Sequence, residues 1–263
     1  MSDSFGTWQL DALVAVGGLG EIWRATRDDL SEAVALKRMH THLLRNDEAR
    51  DQFAREQQLA TTLPLHPNVV HGREIGEVEE RPFLAMELVA GGDLRRALMA
   101  DPRSGEKAAR LDKQRVLSIV AAACDAASHL HANGWVHGDI NPSNLVVDGD
   151  RTVLIDLGIA RAIGEAGTPR GTHAYMAPEQ VRGEAWTPAT DVFALGVVLW
   201  ELCAGTRLFH RGPSYLSMQA VIEHEPPALA DRDLDAIARA ALAKSAADRI
   251  ATPRELADRL TGN

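Results

Sequence analysis

The stretch His137-Gly138-Asp139-Ile140-Asn141-Pro142-Ser143-Asn144, with Asp156-Leu157-Gly158 further on, decides the fold. Between them lie Leu145-Val146-Val147, an Asp148-Gly149-Asp150 turn and Thr152-Val153-Leu154-Ile155. Two short apolar runs joined by an Asp-Gly turn predict a β-hairpin. A hairpin folds the chain back, so Asp139 and Asn144 are expected near Asp156. Two carboxylates and an amide in that arrangement suit phosphoryl transfer to an alcohol. One carboxylate accepts the hydroxyl proton, while the amide oxygen and the other carboxylate hold magnesium on the phosphates.

The 263 residues are 45% hydrophobic and 25% charged, a composition that suits one large domain or two lobes of a soluble protein. The net charge of −9 offers no general attraction to nucleic acid or to an anionic membrane, so a phosphate site must be local. Cys124 and Cys203 sit in apolar helical runs and read as buried, unpaired thiols. The start shows no basic region followed by an apolar stretch, so no signal peptide is expected. The longest apolar run, Val192 to Trp200, falls far short of the ~20 residues of a membrane span. A cytoplasmic product without a membrane segment or a nucleic-acid partner is the expectation.

Towards the N-terminus, Leu10 to Val16, Gly17-Gly18-Leu19-Gly20 and Glu21 to Ala25 read as strand, turn and strand. Such a glycine tip exposes backbone N–H groups and can close over phosphates. In Val34-Ala35-Leu36-Lys37, alternation puts Ala35 and Lys37 on one face, where a flat base and its phosphates would fit. Residues 46–63 read as a helix capped by Asn46 or Asp47, with Phe53, Glu56, Ala60 and Leu63 on one stripe. A carboxylate on a core-facing stripe is costly unless a cation meets it, and Lys37 is the available partner. Val69-Val70 and Phe83 to Val89 are expected strands. Ala90-Gly91-Gly92 breaks the pattern, placing a hinge at about 87–92. Asp93 is expected to open a short helix, and 101–113 to form a surface loop.

Val116, Val120, Ala123, Ala127 and Leu130 recur at helical spacing and predict a long buried helix. His129 and His131 do not share a helix face, and His40 with His42 are too few ligands for a metal. Residues 161–170 lack periodicity and are expected to be mobile. Val192 to Trp200 is apolar all round, a buried helix with Asp191 at its start. That acid needs backbone N–H partners, and those of the central loop are candidates. Leu234, Ile237, Ala241 and Leu242 predict an amphipathic helix, and Thr252-Pro253-Arg254-Glu255 a capping box.

With these motifs in this order, the sequence resembles the eukaryotic-type protein kinases, in their bacterial Hanks-type serine/threonine branch, from about Leu10 to Leu260. The resemblance implies an α+β, bilobal protein-kinase fold. Its small β-rich lobe with one main helix would span 1–89, and its larger, mostly helical lobe 90–263. The catalytic loop would be 137–144 and the activation segment 156–179. It implies ATP and Mg2+ as cofactors and protein serines or threonines as substrates. Asp139 would orient the hydroxyl and take its proton. Asn144 and Asp156 would hold magnesium, and Lys37, fixed by Glu56, would grip the α/β-phosphates. Nucleotide would be met by Ala15, Val16, Gly17, Gly18, Gly20, Ile22 and Ala35. It would also meet the gatekeeper and hinge Met86, Glu87, Leu88 and Val89, with Asp93 reaching the ribose. Thr172, before Ala177-Pro178-Glu179, matches the substrate-side threonine. Glu179 is expected to pair with Arg249.

Four positions depart from the family pattern. Ala15 stands for the first glycine of the phosphate loop, and Leu157 for a phenylalanine. Gly138 replaces the arginine that holds a phosphorylated activation segment, so control by loop phosphorylation is not expected. Asn141 replaces the lysine that steadies the transferring phosphate; losing one such donor costs roughly 10²–10³ in rate. Asn141 keeps open a nucleotide-binding pseudokinase scaffold. His137-Gly138-Asp139 without that lysine also resembles small-molecule phosphotransferases of the aminoglycoside-kinase type. The Thr172, Glu179, Asp191 and Arg249 set favours protein substrates, and the retained Lys37, Asp139, Asn144 and Asp156 favour an active enzyme.

Overall fold

A computed structural model describes residues 3–95 and 111–262. The chain divides into two compact units, Met1–Ala90 with Asp156–Gly158, and Gly91–Ile155 with Ile159–Asn263.

The first unit is built on an antiparallel sheet in the order β1-β2-β3-β4-β6-β5. Its strands are β1 (Asp3–Phe5), β2 (Trp8–Val16), β3 (Gly20–Thr26), β4 (Val34–Met39), β5 (Gly72–Val78) and β6 (Arg81–Glu87). Phe5, Trp8, Leu10, Val34, Leu36 and Phe83 form one buried cluster. Helix α1 (Asp47–Thr62) starts at Asn46, whose side chain accepts from the Ala49 N–H at 2.9 Å. Phe53, Glu56 and Ala60 are buried as expected, joined by Leu59. Leu63 is instead the extended residue ahead of Pro64, because a proline disfavours helical backbone before it. Two strands differ from the sequence pattern. Val69 and Val70 are buried but precede the strand, which is β5. Strand β5 lies at a sheet edge with only Gly72 buried, and it mixes polar and apolar residues on both faces, so it carries little apolar signal. Three-residue β1 is too short to show a period at all.

The second unit is mostly helical. The predicted hairpin is present as β9 (Leu145–Asp148) and β10 (Arg151–Leu154), paired from Arg151↔Asp148 to Leu154↔Leu145. A third strand, β7 (Gly92–Asp93), pairs with β9. Asp93 therefore lies in a strand opposite Val146; Leu94 and Arg95 are the helical residues. The predicted loop over 101–113 falls outside the described residues up to 110. Lys113 already belongs to helix α2 (Lys113–Ala132), capped by Asp112, which accepts from the Arg115 N–H at 2.7 Å. The five apolar residues expected along α2 are all buried.

Short strands β8 (Trp135–Val136) and β11 (Arg161–Ala162) pair with each other. The remaining helices are α3 (Pro178–Arg182), α4 (Pro188–Ala204), α5 (Ser214–Glu223), α6 (Arg232–Ala241) and α7 (Pro253–Thr261). Helix α4 is buried from Ala189 to Leu202. The segment expected to be mobile, 161–170, is tied at both β11 and an Ala166↔Ala185 bridge. At α7 the capping box is half formed: Thr252 accepts from the Glu255 N–H, whereas the Glu255 carboxylate takes the Ala251 N–H. Cys124 is buried and Cys203 half-buried, both free thiols. Among the described residues no helix is long and apolar enough to cross a membrane.

Candidate active site

In the first unit, alternation along β4 turns Lys37 inward, and Glu56 projects from the buried face of α1. The Lys37 Nζ donates to Glu56 Oε1 at 2.5 Å and to Asp156 Oδ1 at 3.1 Å. Both Lys37 and Glu56 are buried, at 5% and 3% exposure. Burial works against the ammonium charge, but Asp156 and Glu56 together hold the Lys37 pKa above its ordinary value. Burial pushes the Glu56 carboxyl up to about 7, against the pull of Lys37, and the Asp156 charge adds to the rise. Glu56 Oε2 has no hydrogen-bond partner among the described residues. One ammonium thus serves two carboxylates.

Asp156 sits at φ +64, a left-handed conformation rare outside glycine. Its Oδ1 also accepts the Gly158 N–H at 3.2 Å. Gln52 on α1 donates to the Gly158 carbonyl at 2.9 Å, and Leu157 is buried, so the leucine keeps an apolar packing role there. The glycine turn closes with Gly17 N–H to Gly20 carbonyl at 2.8 Å, next to the Ala15↔Ile22 and Val16↔Glu21 pairs. Ala15, Val16, Gly17 and Gly18 are exposed. A brace that the sequence pattern does not show is His40. Its ring Nε2 lies 2.9 Å from the Gly17 carbonyl and its backbone N–H donates to Leu19 O at 2.9 Å. Ala35 pairs with Met86 across β4 and β6. At the end of β6 the Glu87 N–H donates to the His71 carbonyl, after which Leu88 and Val89 leave the sheet half-buried.

In the second unit the Asp139 carboxylate is fixed through both oxygens. Oδ1 accepts the Thr172 N–H at 2.8 Å, and Oδ2 accepts Asn144 Nδ2 at 3.1 Å. Gly171, at φ +103, makes the first contact possible: a β-carbon there would stand 2.9 Å from Asp139 Oδ1. Asn144 Nδ2 also donates to the Asp139 carbonyl at 2.9 Å, and the Asn144 carbonyl accepts the Ile155 N–H at 2.9 Å. The hairpin thus closes on the residue just before Asp156. With its nitrogen turned to Asp139, Asn144 presents an oxygen to a cation. Each taken in its own unit, the Asn144 amide oxygen and the Asp156 carboxylate are hard donors of the chemical kind that magnesium accepts.

Asp191 is fully buried and holds the loop backbone: it accepts the His137 N–H at 2.9 Å, the Gly138 N–H at 2.8 Å and His131 Nε2 at 2.7 Å. Burial alone would raise its pKa, but these bonds and the nearby histidines hold it below the usual carboxylate value. The expected partnership of Asp191 with the central loop is therefore present. Glu179 and Arg249 form a buried bidentate pair at 2.7 and 3.0 Å, joined by the Thr190 hydroxyl and the Ala189 carbonyl. Asn141 and Trp186 add contacts that no local motif announces. Asn141 binds Thr172, and Trp186 packs on Gly138.

Lys37, Glu56 and Asp156 are thus brought together in the first unit, and Asp139, Asn144 and Thr172 in the second. The family profile described as "Protein kinase domain" matches residues 8–253. The Mycobacterium tuberculosis serine/threonine-protein kinase PknJ is 32% identical over 272 residues, covering 96% of this chain and 44% of PknJ. The Mycobacterium leprae PknB is 33% identical over 266 residues, covering 95% and 42%. The chain therefore spans less than half the length of these relatives. The solved Mycobacterium tuberculosis PknI kinase domain is 27% identical, with a TM-score of 0.75 over 99% of this chain and 97% of that one. The chain has the protein kinase fold, and it belongs to the protein kinase domain family.

Proposed function

We propose that the chain is the catalytic part of an ATP- and Mg2+-dependent serine/threonine protein kinase acting in the cytoplasm. The observation that carries this reading is the double fixing of Asp139 by Thr172 and Asn144. A carboxylate held through both oxygens is oriented to take a proton from a hydroxyl without reorganising. In the reaction the substrate hydroxyl oxygen attacks the γ-phosphorus of ATP, the bond to the β–γ bridging oxygen breaks, ADP leaves, and Asp139 receives the hydroxyl proton. Lys37 contacts the α/β-phosphates, oriented by Glu56. Asn144 and Asp156 would hold magnesium, which would supply positive charge against the phosphates. Gly17 to Gly20 cover the phosphates. Ala35, Met86 and the backbone of Glu87 to Val89 receive adenine, and Asp93 the ribose. The Thr172 segment, supported through Glu179 and Arg249, receives the protein substrate.

The test is transfer from labelled ATP to a generic basic protein with magnesium, wild type against Asp139→Asn. Transfer well above the variant is expected. No transfer above it, with ATP still bound, would overturn the reading, and transfer only to aminoglycosides or other small alcohols would redirect it.

A further inference from the structure

Asn141 occupies the position where the resemblance leads one to expect a phosphate-steadying lysine, yet its amide faces the protein. The side chain is 2% exposed. Its Nδ2 donates to the Asp139 carbonyl at 3.0 Å and to the Thr172 hydroxyl at 3.1 Å, and its Oδ1 accepts the Ser143 N–H at 2.9 Å. An amide nitrogen has two hydrogens, so both are committed to these two acceptors. Nothing of the donor capacity is left for a phosphate.

The two acceptors belong to separate stretches of chain, 31 residues apart for the Asn141–Thr172 bond. One is the backbone of Asp139. The other is the side chain of the residue whose N–H holds Asp139 Oδ1. The three residues therefore form a closed circuit: Asn141 to Thr172 through side chains, Thr172 to Asp139 through N–H and carboxylate, and Asp139 to Asn141 through its carbonyl. Gly171 at φ +103 turns the chain into this circuit, and its approach to the carboxylate leaves no space for a β-carbon. Cutting the Asn141–Thr172 bond leaves the Thr172 N–H as the one remaining tie of this circuit between Thr172 and the Asp139 carboxylate, and so loosens it.

We infer that Asn141 is a positioning residue which holds Thr172, and through its N–H the Asp139 carboxylate, in the geometry for proton transfer, in place of contacting the phosphate. This rests on the proposed kinase reading for its kinetic consequence, and on the geometry alone for its structural one. A hydrogen bond of ordinary net strength supports a kcat effect of about three- to tenfold when removed.

The experiment uses Asn141→Ala, Thr172→Val, Thr172→Ser and the double variant Asn141→Ala/Thr172→Val. Phosphoryl transfer and backbone amide exchange of the segment holding Thr172 are both measured. Expected are a kcat loss of about three- to tenfold in either single valine or alanine variant, with KM for ATP within twofold, and no further loss in the double variant. Thr172→Ser, which keeps the hydroxyl, should restore wild-type kcat. Amide exchange around Thr172 should quicken equally in Asn141→Ala and Thr172→Val. Losses that multiply in the double variant, or a KM for ATP raised with kcat unchanged, would overturn the assignment. If wild type transfers no phosphate, the kinase reading fails while the exchange result still decides the circuit: unchanged exchange at Thr172 in Asn141→Ala sinks it.

Discussion

The indole of Trp186 lies against the backbone of Gly138, in the space that any side chain at 138 would need. Gly138 is at φ +76 and Trp186 is fully buried. The Arg161 guanidinium stacks over the indole at 5.2 Å and pairs with Glu165 at 2.8 Å. The Trp186 N–H donates to the Glu165 carbonyl at 3.1 Å, and the Gly164 N–H to the Trp186 carbonyl at 2.8 Å. An aromatic ring and backbone bonds thus hold residues 161–166 beside Val136 and Gly138.

It follows that Thr168→Ala should leave phosphoryl transfer within about threefold of wild type, whereas Trp186→Ala should lower it and open residues 161–170 to proteases. Truncating a buried tryptophan costs about 3–5 kcal/mol, which a denaturant titration would register. A loss above tenfold in Thr168→Ala would show that the segment needs a phosphate after all.

Lys37→Met should destabilise the fold by about 3–5 kcal/mol, because it strands the buried Glu56 carboxylate beside Asp156. Adding Glu56→Leu should recover much of that stability while transfer stays abolished. Urea midpoints that do not move in Lys37→Met would refute the shared ion pair.

The Asp191 carboxylate is held below its ordinary pKa in the fold, so it stabilises the native state at neutral pH. The sign is that of a depressed acid: the contribution is complete above the unfolded value of 3.8 and fades as pH falls through the folded value below it. Asp191→Asn should cost about 2–4 kcal/mol at pH 7, and the gap to wild type should narrow below pH 3.8. A gap that stays constant from pH 7 to pH 3 would contradict this.

Arg249→Ala removes the only cation bonded to the Glu179 carboxylate among the described residues. The expected cost is about 3–5 kcal/mol in chemical unfolding. Arg249→Met with Glu179→Leu should lose less than the sum of the two single changes.

Much of this was legible in the sequence because it follows from cost. A carboxylate on the buried stripe of α1 demands a cation, and Lys37 is there. An acid at the start of an apolar helix demands N–H groups, and Asp191 finds those of residues 137 and 138. The hairpin was written in its Asp-Gly turn. What stayed hidden has no local signature. Strand β5 is an edge with only Gly72 buried. His40 supports a turn 23 residues away. Trp186 and Gly138 fit each other only in three dimensions, and Asn141 looks like a missing lysine until its amide is seen to be occupied.

One last consequence concerns biosynthesis. The tripeptide Asp156–Gly158 belongs to the first compact unit although it is encoded far behind it. A nascent chain ending at Ala90 has the whole six-stranded sheet and α1, yet lacks the second carboxylate of Lys37 and the carbonyl that Gln52 binds. At roughly 5–20 residues per second, translation reaches Gly158 several seconds later. The first unit therefore cannot be finished in the order in which it is made, and the ribosome must deliver the leading part of the second, Gly91–Ile155, before Lys37 acquires its full set of partners.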